Sequence, residues 1–210
     1  MARPVKANAA ATRNRILFSA LQMFSDSGLD GVSIRKIAKS ADVSLAMVHH
    51  YFGSKDELYS ACIDTMYDQM IELRPKLTAS LAVGGTVEEL AGRMVADAFR
   101  FARNHQTAGR LLMRQVVGAG ELDKKRQDAM QLPFLEQATA LLSAMTGRPA
   151  VELRLPLQTV TFAVARYGLS TQAGLEMFSG QTGDDAVQAV EDHLIATAIA
   201  LLSPAKRNDS

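Results

Sequence analysis

The sequence has few of the features that would place it outside the cytoplasm. Its single cysteine, Cys62, excludes an internal disulfide and fits a reducing compartment. No run of about 18 uncharged apolar residues is present, so no transmembrane helix is expected. The basic N-terminal stretch lacks the apolar segment of a secretory signal, so we expect none. We therefore expect a cytoplasmic protein without membrane contact.

Motifs for catalysis and metal binding are also missing. The chain contains no glycine-rich phosphate-binding motif, no His-Glu-x-x-His, no cysteine pair and no nucleophile elbow. The adjacent His49 and His50 point to opposite sides of a helix, whereas metal ligands on a helix favour i, i+4 spacing. Cys62 has apolar neighbours and is interpreted as a core residue, with a thiol sensor as the alternative. We predict no enzyme, catalytic residue, metal or cofactor.

The composition is that of a folded chain with an uneven charge distribution. Of the 210 residues, 48% are apolar and 21% charged, which excludes a disordered polyelectrolyte. The net charge of +1 is a cancellation between two parts of the chain. Residues 1–55 contain eight bases and three acids, and the other 155 contain fifteen bases and nineteen acids. A basic head suggests a polyanion partner, although a solvated charged surface explains the charge equally well.

The hydrophobic pattern predicts an all-α fold of about nine helices, without any alternating strand pattern. Each predicted helix has an apolar stripe at helical spacing, and most begin at a serine or threonine cap or end near a glycine. The predicted helices are 12–27, 34–40, 45–51, a long one from Ser54 to before Pro75, one from Thr86 to the Asn104-His105 break, 107–117, 123–146 with a bend at Pro133, 150–173 and 184–202. The Ser54–Glu57 spacing is that of a capping box.

Residues 33–52, SIRKIAKSADVSLAMVHHYF, predict two short helices joined by a tight turn, with helix 12–27 packed behind them. This is a helix-turn-helix arrangement, in which the second helix enters the major groove of DNA. Val43, Val48 and Phe52 are expected in the core, and the outward side chains mix polar and apolar groups suited to base edges. These outward residues are Ser44, Leu45, Met47 and either His49 or His50. An ordinary antiparallel helix pair is the alternative.

The segment GLDGVSIRKIAKSADVSLAMVHHYFGSKDELYSACI (28–63) resembles the DNA-binding segment of the TetR family of bacterial transcriptional regulators. The resemblance covers roughly residues 12–60, and beyond them only helix count, length and composition are similar. It rests on the following residues: Gly28, Ser33, Ile37, Ala38, Val43, Ser44, Tyr51, Phe52, Lys55 and Leu58. Two positions depart from the family pattern, with Asp42 replacing the usual glycine of the turn and His49 aligning with the phosphate-contacting tyrosine.

The resemblance implies roles for individual residues at the DNA. Ser33 and Ser44 would cap their helices and place backbone amides near phosphates, and Lys55 would clamp a phosphate. His49 can donate to a phosphate oxygen, with altered pH sensitivity. From the charge pattern we add Arg35 and Lys36 as phosphate contacts. Arg3 and Lys6 are predicted to lie in a flexible arm that tracks the minor groove.

The resemblance divides the chain into a DNA-binding domain, residues 1–55, and a helical effector-binding and dimerisation domain, residues 56–210. It implies a homodimer formed by the last two helices, 150–173 and 184–202. The nearly all-apolar surface of the last helix allows this, although burial within one chain would account for it as well. Arg166 lies in an otherwise uncharged stretch, and we expect it to be buried with a carboxylate, a carbonyl across the dimer or an acidic ligand.

Family members place an effector pocket among the middle helices, and this chain supplies adaptable apolar side chains there. Plain core packing is the alternative for each of them. The predicted pocket residues are Met66, Met70, Phe99, Met113, Phe134, Phe162, Arg166 and Tyr167, with His105 and Arg114 as further polar candidates.

These features together predict a homodimeric, ligand-released repressor that occupies a near-palindromic DNA operator and is nucleoid-associated when bound. The alternative is a helix-turn-helix protein without a small-molecule effector, acting constitutively or controlled by a protein partner.

Overall fold

The computed structural model describes residues 5–82, 84–120 and 124–203, with the side chains of 5–7 and 71–82 excepted. Within those ranges the regular structure is helical and no strand occurs, which confirms the all-α prediction. No helix in the same ranges is long and apolar enough to cross a membrane.

The first four helices are α1 (Val5–Ser27), α2 (Ile34–Ser40), α3 (Leu45–Phe52) and α4 (Lys55–Ala82). Helix α1 begins earlier than the predicted residue 12, because the alanine-rich segment before Thr12 has high helix propensity. Lys6 is therefore helical rather than part of a flexible arm, while Arg3 lies outside the described residues. Helix α4 continues past Pro75, where we predicted its end, since a proline removes one hydrogen bond without necessarily stopping a helix.

The next helices are α5 (Val87–Asn104) and α6 (Gln106–Ala119), close to their predicted bounds. Helix α7 (Lys124–Arg126) then passes through a π-helical turn (Gln127–Gln131) into α8 (Leu132–Thr146). The predicted irregularity at Pro133 is thus a π-turn in the preceding residues. Proline at the start of α8 is tolerated because the first helical amides need no intrahelical acceptor.

The last helices are α9 (Ala150–Gly168), α10 (Gln172–Ser179) and α11 (Gly183–Leu202). We predicted a single helix over 150–173, but α9 ends at Gly168 and a separate short helix follows. The hydroxyl of Thr171 caps α10 by accepting from the amide of Gly174 at 3.1 Å. Gly180 ends α10 in the left-handed conformation, with φ of 69°.

The chain forms two compact units, one of residues 1–71 and 107–120 and the other of residues 72–106 and 121–210. In the first unit the core contains Ile16, Phe24, Ile37, Val48 and Leu58. The first unit extends beyond the predicted DNA-binding domain of residues 1–55, and that domain boundary stays a prediction.

The second unit is built on α5, α9 and α11, which pack against one another, with α8 against α9 and α10 against α11. Its core is a continuous cluster of apolar side chains that includes Phe99, Leu153, Leu175 and Leu194. Helices α5 and α9 approach closely at Gly168, where a β-carbon would lie 2.5 Å from that of Ala102. A glycine is needed there for steric reasons.

Candidate nucleic-acid interface

Two serines start the two short helices of the predicted motif. The Ser33 hydroxyl accepts from the amide of Lys36 at 3.3 Å, and the Ser44 hydroxyl accepts from the amide of Met47 at 3.2 Å. Each serine is in extended conformation and exposed, as an N-cap residue should be. The amide-rich starts of α2 and α3 therefore face solvent, where an anion can approach them.

The turn between α2 and α3 is closed by backbone hydrogen bonds. The amide of Val43 donates to the carbonyl of Ala38 at 3.0 Å, and that of Asp42 to Lys39 at 3.3 Å. Asp42 has φ of 51°, the left-handed region in which the family pattern has glycine. Aspartate tolerates this conformation better than most residues, so the turn keeps its geometry despite the departure.

Helix α3 has one buried and one exposed face. Val48 and Phe52 are buried as predicted, whereas Val43 before the helix is only half-buried. The side chains of Leu45 and Met47 are 37% and 36% exposed, and His49 and His50 are exposed too. Such a face, with apolar and hydrogen-bonding groups free of intrachain packing, can contact base edges and thymine methyl groups.

His49 makes a specific contact at the end of α3. Its Nδ1 lies 2.7 Å from the carbonyl oxygen of Gly53. Because a carbonyl oxygen only accepts, Nδ1 must carry the hydrogen. The contact holds the ring in place and leaves Nε2 as its second polar atom.

The basic side chains of the motif lie on the helices that precede and follow α3 in the sequence. Arg35 and Lys36 are exposed on α2, while Ile37 and Ala38 on the same helix are buried. Lys55, at the first position of α4, is half-buried. On α1, the guanidinium of Arg13 lies over the ring of Phe52, 4.9 Å from its centre. The exposed cations are thus placed for contacts to a phosphate backbone.

Helix α4 begins with the predicted capping box. The carboxylate of Glu57 accepts from the amide of Ser54 at 2.7 Å, and the Ser54 hydroxyl accepts from the amide of Glu57 at 3.1 Å. Hydrogen bonds to the Glu57 carboxylate, from the Ser54 side chain first and from the Ser54 backbone amide second, lower the pKa of Glu57. They fix the start of the helix that carries Lys55.

Arg114, on α6, makes a contact that was not predicted. Its Nη2 donates to the carbonyl oxygens of Ser25 and Asp26, both at 3.3 Å, at the C-terminal end of α1. It satisfies carbonyls that lack helical partners. This contact spans residues far apart in sequence, so no local pattern could have revealed it.

The predicted pocket residues fall into both compact units. In the first unit, Met66 is buried, Met113 half-buried and Met70 36% exposed. In the second, Phe99 is fully buried and Tyr167 half-buried, whereas Phe134 and Phe162 are 41% and 40% exposed. The pocket assignment stays a prediction.

Arg166 was expected to be buried, and in the single chain this is wrong. It is exposed on α9, because the uncharged stretch around it faces solvent as well as the core. Its Nη1 donates to the hydroxyl of Ser170 at 2.8 Å, and its guanidinium lies 5.2 Å from the centre of the Phe178 ring. A local hydroxyl and a cation–π contact therefore replace the expected buried partner.

Across the ranges whose side chains are described, no three His, Cys, Asp or Glu residues group so that they could hold a metal ion. Cys62 is buried as interpreted, and burial raises the pKa of its thiol to about 12. A neutral, enclosed thiol is a poor nucleophile. This agrees with the core role rather than the thiol sensor.

Comparison with known proteins finds similar sequences and structures. Residues 16–62 match the family described as bacterial regulatory proteins, tetR family. The probable transcriptional regulator YttP of Bacillus subtilis is 30% identical over 107 residues, 51% of each chain. The chain thus spans about half the length of this curated relative, which is named as a regulator rather than an enzyme.

Two solved structures show the same fold over most of the chain. A TetR-like regulator from Rhodococcus sp. RHA1 has a TM-score of 0.66 at 23% identity and covers 94% of this chain and 96% of its own. The multidrug binding protein EbrR, complexed with imidazole, has a TM-score of 0.55 at 19% identity, covering 93% and 98%. Together with the capped helix-turn-helix, these likenesses show that residues 16–62 match the tetR family of bacterial regulatory proteins and that the chain has the same fold as these two structures.

Proposed function

We propose that this protein represses transcription as a homodimer bound to a near-palindromic DNA operator, with α3 of each subunit in the major groove. The observation that carries the proposal is the exposed face of α3 beside the two capped helix starts. In a helix-turn-helix, residues near the start of the second helix contact base edges. Leu45 and Met47 occupy those positions, and His49 and His50 follow in the last turn.

Replacing one exposed apolar residue of α3 with an acidic residue tests whether this face contacts DNA. Met47→Glu places a negative charge on the face proposed to enter the groove, without disturbing buried packing. We expect DNA affinity to fall at least tenfold in fluorescence anisotropy titrations with duplex DNA. Val117→Glu is the matched control, because Val117 is 72% exposed on α6, outside the motif. Equal losses for both variants would argue against α3 as the reading helix.

The dimer is proposed to form through α9 and α11. On α9 the apolar side chains of Val151, Leu155 and Phe162 share one face by their helical spacing and are 73%, 79% and 40% exposed. Exposed apolar faces of this kind favour self-association, and a twofold axis lets the same face serve both subunits. Arg166, four residues after Phe162 on α9, adds a charged side chain beside this face, and its guanidinium lies over the Phe178 ring.

Sedimentation velocity at micromolar concentration tests the assembly. We expect a dimer for the natural sequence and a shift to monomer for Leu155→Glu, which puts a charge into the proposed contact. Glu152→Gln, a change at an exposed residue one helical turn away, serves as the control. A natural sequence that is purely monomeric would contradict the dimer proposal.

Release by a small molecule completes the proposed mechanism. The solved EbrR structure, which is complexed with imidazole, supports a ligand-responsive body on the same fold. A dimer can adopt a conformation in which its two α3 helices do not reach successive major grooves. A ligand that binds this conformation better lowers the fraction of protein bound to DNA. By linkage, DNA-bound protein then binds that ligand more weakly.

A thermal-shift screen followed by a DNA-release assay tests the ligand step. A compound that raises the melting temperature and releases DNA is the expected result. The second candidate function, a regulator without an effector, would be favoured if stabilising compounds leave DNA binding unchanged.

A further inference from the structure

The hydrogen bond between His49 and Gly53 decides what the exposed side of the His49 ring can do. Nδ1 keeps its hydrogen in both charge states, because it donates to the Gly53 carbonyl at 2.7 Å. In the neutral ring Nε2 then has only a lone pair and is an acceptor. His49 can donate a second hydrogen bond, to a phosphate oxygen, only as the doubly protonated imidazolium.

The position of His49 favours a phosphate over a base as its partner. It lies in the last turn of α3, whereas the first residues of a recognition helix contact bases. Its ring is held against the turn at Gly53 that leads into α4 and Lys55. The charged residues of the segments around it are mainly basic: Arg13, Arg15, Arg35, Lys36, Lys39, Asp42, Lys55, Asp56 and Glu57. His50 and Tyr51 are the other titratable groups in its own helix.

DNA binding changes the electrostatic surroundings of His49. Phosphates that approach the ring bring negative charge close to it and favour the imidazolium. Asp56 and Glu57 are the nearest acids in sequence on α4. Hydrogen bonds from Ser54 lower the pKa of Glu57, so its carboxylate stays ionised near neutral pH.

We propose that His49 takes up a proton when the protein binds DNA and donates from Nε2 to a backbone phosphate, so that DNA affinity is coupled to pH. This inference rests on the proposed DNA-binding function. Histidine titrates in the range of about pH 5 to 8, so the coupling acts near neutral pH. One linked proton increases the association constant by at most about tenfold for each pH unit that the pH falls.

The sign of the coupling distinguishes phosphate from base contact. If neutral His49 accepted a hydrogen bond from a base amino group instead, protonation would remove the contact. DNA affinity would then decrease as pH falls. A phosphate contact makes DNA affinity increase as pH falls. The increase stops at pH values where His49 is already protonated in the free protein.

The experiment measures duplex DNA affinity by fluorescence anisotropy between pH 6 and 8.5 at constant ionic strength. We expect the natural sequence to bind more tightly as pH falls, and His49→Gln to lose this dependence. His105→Gln is the matched control, because His105 Nδ1 also bonds a backbone carbonyl, that of Phe101 at 2.9 Å, but lies outside the motif. It should keep the full slope.

Calorimetry of the natural sequence supplies a second readout that needs no variant. Titrations at one pH in two buffers of different ionisation enthalpy should reveal net proton uptake on DNA binding. A slope retained by His49→Gln, a flat slope in the natural sequence, or proton release would overturn the inference while leaving DNA binding intact. Absence of DNA binding at every pH would instead overturn the proposed function itself.

Discussion

The guanidinium of Arg114 in α6 donates to the carbonyl oxygen of Ser25 in the last turn of α1, at 3.3 Å. The same nitrogen reaches the carbonyl of Asp26, so a single cation closes the C-terminal end of α1. A positive charge is favourable there because helix carbonyls create a partial negative charge. Helix α1 packs against α2, the first helix of the helix-turn-helix motif. By capping α1, Arg114 stabilises a helix against which the motif packs.

Removal of this cap should weaken the fold. For Arg114→Ala we expect the free energy of unfolding to fall by about 1 kcal/mol, since two carbonyls lose a charged donor. Urea unfolding followed by circular dichroism measures it. Arg15→Ala, at an exposed position on α1, should change stability by less than about 0.5 kcal/mol. Similar losses in both variants would deny Arg114 a capping role.

Ser44 combines a structural and a proposed functional role, and two variants separate them. Ser44→Ala removes the acceptor for the Met47 amide and should cost about 1 kcal/mol of unfolding free energy. Ser44→Asp keeps an acceptor at the cap but adds a negative charge near DNA. It should therefore keep stability and lose DNA affinity. Undiminished affinity of the aspartate variant would place the start of α3 away from phosphates.

Lys55 is proposed to contact a phosphate, which makes its effect dependent on salt. Lys55→Ala should weaken binding to all sequences and lower the slope of log affinity against log salt by about one unit. Lys125→Ala, at an exposed lysine outside the motif, should leave the slope as it is. Anisotropy titrations between 50 and 200 mM salt, about the range where such contacts dominate, measure both. An unchanged slope for Lys55→Ala would count against its role.

Two helical glycines should respond oppositely to alanine. At Gly168 the new β-carbon would meet that of Ala102 at 2.5 Å, so the packing of α5 on α9 must shift. We expect a loss of about 1–3 kcal/mol. At Gly118 nothing lies within 4 Å, and alanine should stabilise by about 0.4–1 kcal/mol through helix propensity. Thermal unfolding of the two variants compares them, and a stabilising Gly168→Ala would contradict the close approach.

The rate at which the Cys62 thiol reacts measures how readily the first unit opens to solvent. Its thiol is buried and its pKa is raised to about 12 by desolvation, so little thiolate exists at pH 8. A disulfide reagent such as dithionitrobenzoate should react slowly with native protein and promptly after denaturation, with one equivalent released. Immediate reaction of the native protein would show that the thiol is accessible and would revive a sensor role.

Sequence patterns predicted local features well. The caps at Ser33, Ser44 and Thr86 and the capping box at Ser54 each depend on a few neighbouring residues, and all are present. Long-range contacts left no local signal. The bond from Arg114 to α1 was not predicted, because the partner of an arginine depends on how helices distant in sequence pack.

Burial was predicted less well where a helix is apolar on several sides. The uncharged stretch of α9 suggested that Arg166 was enclosed, but the stretch includes both core residues and the exposed face of Leu155 and Phe162. A sequence does not distinguish side chains covered by their own chain from those proposed to be covered by a second copy. Helix α10 was missed because its apolar residues continue the pattern of α9, and only Thr171 marks the new start.

The most direct test of the proposed function is selection of bound sequences from random duplex DNA, followed by footprinting of the enriched sites. We predict an inverted repeat with half-site centres about one helical turn apart, roughly 34–36 Å, protected on both halves. Met47→Glu should fail to enrich it. Enrichment of a single unpaired half-site, or of no sequence at all, would contradict a dimeric repressor that reads DNA with α3.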